Sequence, residues 1–148
     1  MRRLFIRLLL SATSALILCS AQNANTTGKA KNLTAEDLKK LIDDKTKFFF
    51  LDVREPKEIA ELGTMQGYVN IPISQLEARV SEVPKSATVV TACSHGKRAA
   101  RAAEILQKSH INVIGSCGLM EWKEKGFDKQ KGYELIYPKE SEIGKKKG

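Results

Sequence analysis

The chain has 148 residues, which is enough for one domain with its own hydrophobic core. Hydrophobic residues make up 42% and charged residues 28%, a composition that is typical of globular proteins and excludes a chain disordered throughout. The formal charge of +8 falls to about +5 when Arg2, Arg3 and Arg7 leave with the export signal described next. Aromatic residues make up only 6% and do not interleave with a basic face, so nucleic-acid binding is not indicated.

Residues 1–21 have the features of a secretory signal peptide. Basic residues precede an apolar run that ends at Cys19, Ser20 and Ala21. The run is short for a membrane span, so we predict cleavage after Ala21 and a periplasmic mature chain without membrane attachment. Two alternatives stay open: Cys19 as a lipid-modified N-terminus, which the bulky Leu18 disfavours, and an uncleaved anchor.

The first predicted elements follow a polar, flexible linker over residues 22–31. Thr34 precedes acidic residues and an apolar stripe, which predicts a capped helix. The continuous apolar run over residues 48–53 predicts a strand that is buried on both sides. Pro56 then begins a short helix, which Gly63 ends.

The rest of the chain continues to alternate between strands and helices. Strands are predicted over residues 67–72, 88–91 and 111–114, and helices from Ser74 to before Pro84, over residues 99–107, and after a turn at residues 115–118. We expect one domain over residues 32–128. A C-terminal extension over residues 129–148 follows, in which residues 133–137 form an extra strand or strap and residues 145–147 a solvated basic tail.

This alternation predicts an α/β fold with a parallel sheet flanked by helices on both faces. In such sheets ligands bind beyond the carboxyl ends of the strands. Asp52 and Arg54, the loop that begins at Cys93, and residues 115–118 all follow predicted strands at that end. We therefore expect these three segments to meet at one edge of the sheet.

The loop over residues 93–98 carries the strongest chemical signal. It reads Cys93-Ser94-His95-Gly96-Lys97-Arg98 and joins a β-branched strand to an alanine-rich helix. A cysteine in this position meets the free N–H groups and the positive dipole end of the helix, and two basic side chains add charge. These features favour a thiolate nucleophile that acts on an anionic substrate. The alternative is a buried structural cysteine at the end of a core strand.

With these motifs in order, the chain resembles the single-domain rhodaneses, a sulfurtransferase family, and most closely their small periplasmic members. The similarity covers about residues 33–127. Residues 52–58 resemble the family's acidic–Arg–Glu segment, and residues 67–72 its Gly-x-x-Asn-Ile-Pro segment. Residues 93–98 resemble its six-residue active loop, and residues 118–122 its glycine turn and tryptophan.

The resemblance implies a five-stranded rhodanese-like sheet, and a sulfurtransferase that needs neither metal nor cofactor. The implied reaction moves a sulfur from thiosulfate, or a similar anionic donor, to cyanide or a thiol through a persulfide on Cys93. The spacing from Cys93 to Arg98 is one residue shorter than in the phosphatases and arsenate reductases that share the fold. This shorter loop favours sulfur transfer over phosphate chemistry.

The resemblance also suggests roles for the neighbours of Cys93. The amides of Ser94, His95, Gly96, Lys97 and Arg98 are implied to cradle the donor, as in an oxyanion hole. His95 is implied to shape the loop or donate a hydrogen bond rather than transfer a proton. An ion pair between Asp52 and Arg54 is implied to hold the loop, although a purely structural role is the more common one for such a pair. Trp122 is expected in the core. The chain departs from the family's pattern at Thr64, Gln66, Tyr68, Ala99 and Cys117.

Cys117 leaves a different function open. After signal cleavage it and Cys93 are the two remaining cysteines, in a compartment where disulfides form. One alternative is therefore a persulfide-relay or redox module in which Cys117 attacks or bridges Cys93. The simpler explanation is that Cys117 fills a turn. A further alternative is a non-catalytic domain that binds an anion or a partner, against which the cysteine and its basic loop both argue.

Overall fold

The computed structural model describes residues 29–144. The predicted signal peptide, residues 22–28 of the predicted linker and the basic tail lie outside these residues. Within residues 29–144, no helix is both long enough and apolar enough to cross a membrane.

The centre of the molecule is a five-stranded parallel sheet in the order β1-β5-β4-β2-β3. Its strands are β1 (Lys31–Leu33), β2 (Phe49–Asp52), β3 (Val69–Asn70), β4 (Thr88–Cys93) and β5 (Asn112–Gly118). The prediction of a parallel five-stranded α/β sheet is confirmed.

Three details of the sheet differ from the sequence-based expectation. The strand predicted over residues 67–72 is limited to Val69–Asn70. β1 starts inside the segment predicted as a linker. Its three residues have no apolar pattern of their own and are ordered by pairing with residues 115–117 of β5. β5 continues through Gly118, where a turn was predicted after residue 114. Continued pairing of β5 with β4, up to Cys93 opposite Gly118, keeps this glycine-containing segment extended.

The helices are α1 (Ala35–Asp43), α2 (Pro56–Leu62), α3 (Leu76–Arg79), α4 (Lys97–Lys108) and α5 (Leu119–Glu124). α1 begins with the predicted cap, since the Thr34 hydroxyl accepts from the Asp37 N–H and the Asp37 carboxylate accepts from the Thr34 N–H. The helix predicted after Ser74 is only four residues long, begins without a side-chain cap, and continues as a 3-10 turn over Val80–Glu82.

Helices cover both faces of the sheet, as predicted, and each face has its own apolar layer. On one face, side chains of α3 and α4 such as Leu76 and Leu106 pack against Val89 and Cys93 of β4. On the other face, side chains of α1 and α5 such as Leu38 and Trp122 pack against Ala92 and Cys117. Alternate residues of one strand therefore enter different layers, which determines which side chains can meet.

The C-terminal extension is attached to the domain over its described part. The backbone groups of Ile136 and Thr64 exchange two hydrogen bonds of 2.8 Å in an antiparallel bridge. The indole N–H of Trp122 donates to the Tyr133 carbonyl at 3.1 Å, and the Tyr133 hydroxyl donates to Asp43. The segment predicted as an extra strand or strap therefore joins α1 and α5 to residues 63–64, which lie next to the candidate site.

Candidate active site

Cys93 is the last residue of β4, and α4 begins four residues later at Lys97. Gly96 makes the tight turn between them in a left-handed conformation (φ +86°), which favours glycine. This turn aims two backbone N–H groups at Cys93 Sγ, from Gly96 at 3.1 Å and from Ala99 at 3.4 Å. The N-terminus of a 12-residue helix adds its positive dipole end, so the site stabilises negative charge on this sulfur.

The departure from the family's pattern at Ala99 leaves a backbone donor at the sulfur. A serine side chain there would add a hydroxyl, but the backbone N–H of Ala99 already donates to Sγ. Cys93 is only 2% exposed, so the loop covers the sulfur closely. Of the other predicted loop residues, Ser94 and Gly96 are buried, Arg98 is partly buried, and His95 and Lys97 are exposed.

Glu58 joins this loop from α2, a contact that the sequence analysis missed. Its two carboxylate oxygens each accept from one Nη atom of Arg98, both at 2.6 Å. The Ser94 hydroxyl lies 3.4 Å from both Glu58 Oε1 and Arg98 Nη2, which closes a three-residue cluster. The hydrogen bonds from Arg98 lower the pKa of Glu58 to about 2. The sequence did contain a signal for Glu58, because it lies in the acidic–Arg–Glu segment over residues 52–58, just after a strand that ends at the same edge of the sheet as Cys93.

Asp52 and Arg54 form the predicted ion pair, and both are fully buried. Arg54 Nε donates to Asp52 Oδ1 at 3.0 Å, and Nη2 donates to Oδ2 at 2.6 Å. Arg54 Nη2 also donates to the Gly63 carbonyl at 2.8 Å, and the Thr64 hydroxyl donates to Asp52 Oδ2 at 2.8 Å. Thr64, one of the positions that depart from the family's pattern, is therefore part of this hydrogen-bond network. These side-chain bonds tie β2 to residues 63–64, the segment that the C-terminal strap also holds.

Gly118 supports the loop from below. It pairs with Cys93 at the end of β5, and the N–H of Met120 donates to the Ser94 carbonyl at 3.0 Å. A Cβ added at Gly118 would lie 3.0 Å from the Ser94 carbonyl oxygen and 3.1 Å from the Gly96 nitrogen. The strand end and the loop thus leave little room for a side chain at this position, and the predicted convergence of residues 115–118 with the Cys93 loop is observed.

A small pocket of about 170 Å³ opens beside this contact. Its walls come from β1, the loop and α5, and include Asn32, His95, Gly118, Met120 and Glu121. The exposed His95 therefore lies at the rim of a space next to the loop that holds Cys93.

Cys117 does not share this site. It pairs with Ala92, one position before Cys93, so its side chain enters the layer of α1 and α5 while Cys93 faces α4. Both thiols are free, and burial raises the pKa of Cys117 well above its usual value. The alternative in which Cys117 attacks or bridges Cys93 does not fit this conformation, because neighbouring positions on paired strands point to opposite faces and the two side chains lie in different layers.

Fold and loop together define a class, an α/β protein whose parallel sheet presents a cysteine at the head of a helix. The sequence model of the rhodanese-like domain family matches residues 34–125, so the chain belongs to this family.

Several relatives of this chain are named as sulfurtransferases, and the chain covers between 23% and 90% of their length. A sulfurtransferase from Allochromatium vinosum is 29% identical over 97 residues, which cover 64% of this chain and 90% of that protein. The crystal structure of a rhodanese-related protein from Thermoplasma volcanium is similar with a TM-score of 0.61 and 29% identity, covering 73% of this chain and 99% of that one. A single-domain sulfurtransferase from Saccharomyces cerevisiae gives a TM-score of 0.54 at 27% identity, over 68% and 94% of the two chains. The chain is thus a rhodanese-family protein with sulfurtransferase relatives.

Proposed function

We propose that this protein transfers a sulfane sulfur through a persulfide on Cys93. The observation that carries the proposal is the pair of backbone N–H groups, from Gly96 and Ala99, that donate to Cys93 Sγ at the head of α4. This arrangement stabilises an anionic sulfur both before and after it receives a second sulfur atom. The export signal predicted from the sequence supports a periplasmic location for this activity.

The reaction has two half-steps, as in other covalent catalysis. In the first, the Cys93 thiolate attacks the outer sulfur of thiosulfate, the sulfur–sulfur bond breaks, and sulfite leaves with the bonding electron pair. In the second, cyanide or a thiolate attacks the terminal sulfur of the persulfide. Thiocyanate or a new persulfide leaves, and the Cys93 thiolate is restored. Neither half-step needs a proton transfer at Cys93, a metal or a redox cofactor.

The donor is expected to be a small anion. The helix N-terminus and the exposed Lys97 both attract negative charge to the loop. The narrow turn places the N–H groups of Gly96 and Ala99 around one sulfur atom rather than around a larger tetrahedral group. These features support thiosulfate or a related sulfane compound as the donor, with cyanide or a thiol as the acceptor.

The first test is direct detection of the intermediate. Incubation with thiosulfate, without acceptor, is expected to add about 32 Da, one sulfur, to the Cys93 peptide and to release an equal amount of sulfite. Cyanide should then remove the added mass and yield thiocyanate. The Cys117 peptide is the internal control, since a buried thiol with a raised pKa should stay unmodified. An unmodified Cys93 peptide with intact donor would instead support a non-catalytic binding domain.

Gly118→Ala is expected to slow persulfide formation by between about 10- and 100-fold, since small displacements of a reacting group are costly. The backbone of Gly118 (φ −111°) suits alanine, so the effect comes from the added Cβ crowding the Ser94 and Gly96 backbone. Stopped-flow measurement of sulfite release checks it. Gly115→Ala is the matched control, because its Cβ meets the Leu33 side chain on the other face. Equal losses in both variants would show that strand damage, not loop geometry, is responsible.

A further inference from the structure

Arg98 carries the only guanidinium group of the loop over residues 93–98, and this group is paired with the carboxylate of Glu58. Both of its Nη atoms donate to Glu58 at 2.6 Å, and the Ser94 hydroxyl lies 3.4 Å from each partner. The pair is partly exposed, with Glu58 at 31% and Arg98 at 37% of their side-chain surface. Solvent and a donor molecule can therefore reach its edge, while Cys93 beneath the loop is almost fully covered.

The charge balance of the loop follows from this contact. Arg98 lies close enough to Cys93 for negative charge on the sulfur to contribute to the raised pKa of Arg98, although the hydrogen bonds to Glu58 contribute most. Glu58 remains ionised at neutral pH, since its pKa is about 2. The carboxylate therefore cancels the charge of Arg98 beside the sulfur. An incoming anion meets the backbone N–H groups, the helix end and Lys97, but the carboxylate of Glu58 offsets the positive charge that Arg98 would otherwise add.

We propose that Glu58 determines the charge of the sulfur donor, by disfavouring dianions such as thiosulfate relative to donors with a single negative charge. This inference rests on the proposed sulfur transfer through Cys93. The selected class is the monoanionic sulfane compounds, which include organic thiosulfonates and persulfides of thiols. Repulsion by Glu58 grows with each unit of donor charge, so its removal should benefit a dianion more than a monoanion.

The test compares two donors that differ by one charge. Thiosulfate and methanethiosulfonate both offer a sulfane sulfur, the first as a dianion and the second as a monoanion. In Glu58→Gln, the ratio of kcat/KM for thiosulfate to kcat/KM for methanethiosulfonate should rise about tenfold, and the rise should shrink with added salt. Glutamine keeps one acceptor oxygen for Arg98 and for the Glu55 N–H, which in the native protein donates to Glu58 Oε2 at 3.2 Å.

Glu61→Gln is the matched control, because it makes the same charge change one turn later on α2. Its carboxylate is 62% exposed and lies 4.0 Å from Lys57, away from the loop cluster. The donor ratio should not change in this variant. An unchanged ratio in Glu58→Gln, or an equal loss with both donors, would overturn the inference and leave Glu58 as a residue that only positions Arg98.

A second readout does not depend on sulfur transfer. Iodoacetate and iodoacetamide alkylate the same thiolate, but only the first carries a charge. The ratio of their alkylation rates at Cys93, read by peptide mass spectrometry, should rise several-fold in Glu58→Gln and in Glu58→Ala. A raised ratio without sulfur transfer from either donor would contradict the proposed function alone. An unchanged ratio in both folded variants would contradict the electrostatic role of Glu58.

Discussion

Cys93→Ser is expected to abolish sulfur transfer, with a loss of at least about 1,000-fold in thiocyanate formation from thiosulfate and cyanide. The serine hydroxyl can still accept hydrogen bonds from the Gly96 and Ala99 N–H groups, so the loop keeps its shape. A hydroxyl is not ionised near neutral pH and cannot hold a sulfane sulfur as a persulfide does. The measurement is the steady-state assay together with the loss of the mass increase at position 93. Turnover near that of the unmodified protein would refute the proposed nucleophile.

Cys117→Ala is the matched control for this change and also tests the relay alternative. Cys117 lies in the layer formed with α1 and α5, on the opposite face of the sheet from Cys93. Its replacement should leave turnover within about twofold and cost about 1 kcal/mol of unfolding free energy, as for other small changes in a core. If persulfide formed normally but sulfur transfer to the acceptor were lost, Cys117 would be shown to receive the sulfur from Cys93. Such a transfer would require a rearrangement of the sheet.

Local patterns in the sequence were sufficient to predict the loop and most of the sheet. The β-branched run before Cys93 and the alanine-rich run after Arg98 are long enough to indicate a strand and a helix. The junction between two such elements fixes the loop at the carboxyl end of a parallel sheet. Thr34 and Pro56 likewise mark helix starts through short-range chemistry, and both helices begin where expected.

The parts that escaped prediction depend on contacts between distant residues. The three residues of β1 gain their conformation by pairing with β5, more than 80 positions away along the chain. Glu58 and Arg98 are 40 positions apart and meet only because β2 and β4 are neighbours in the sheet. The separation of Cys93 from Cys117 depends on register, since a shift of one residue would put both on the same face.

Asp52→Asn is expected to lower the free energy of unfolding by about 3–5 kcal/mol, because it removes one partner of a fully buried ion pair. The charged Arg54 guanidinium would then face an uncharged amide, which offers one acceptor oxygen in place of the two carboxylate oxygens, in addition to the Gly63 carbonyl. The Thr64 hydroxyl would lose the carboxylate that it now donates to. Urea denaturation followed by circular dichroism measures the change.

A matched surface change separates burial from charge. Glu61→Gln removes one partner of an exposed pair with Lys57, at 4.0 Å, and should shift stability by no more than about 0.5 kcal/mol. A shift of similar size in Asp52→Asn would refute the structural role of the buried pair.

The same variant also decides whether the buried pair supports the site or only the fold. The side-chain hydrogen bonds of Asp52 and Arg54 lead to Gly63 and Thr64, whereas the cradle of Cys93 is formed by the backbone of its own loop. At a temperature where Asp52→Asn is still folded, persulfide formation should therefore proceed within a few-fold of the normal rate. A loss as large as that expected for Gly118→Ala would show that removal of the ion pair disturbs the loop through β2 and β4. These strands are paired, and next to the loop the Val53 N–H donates to the Ala92 carbonyl at 2.9 Å.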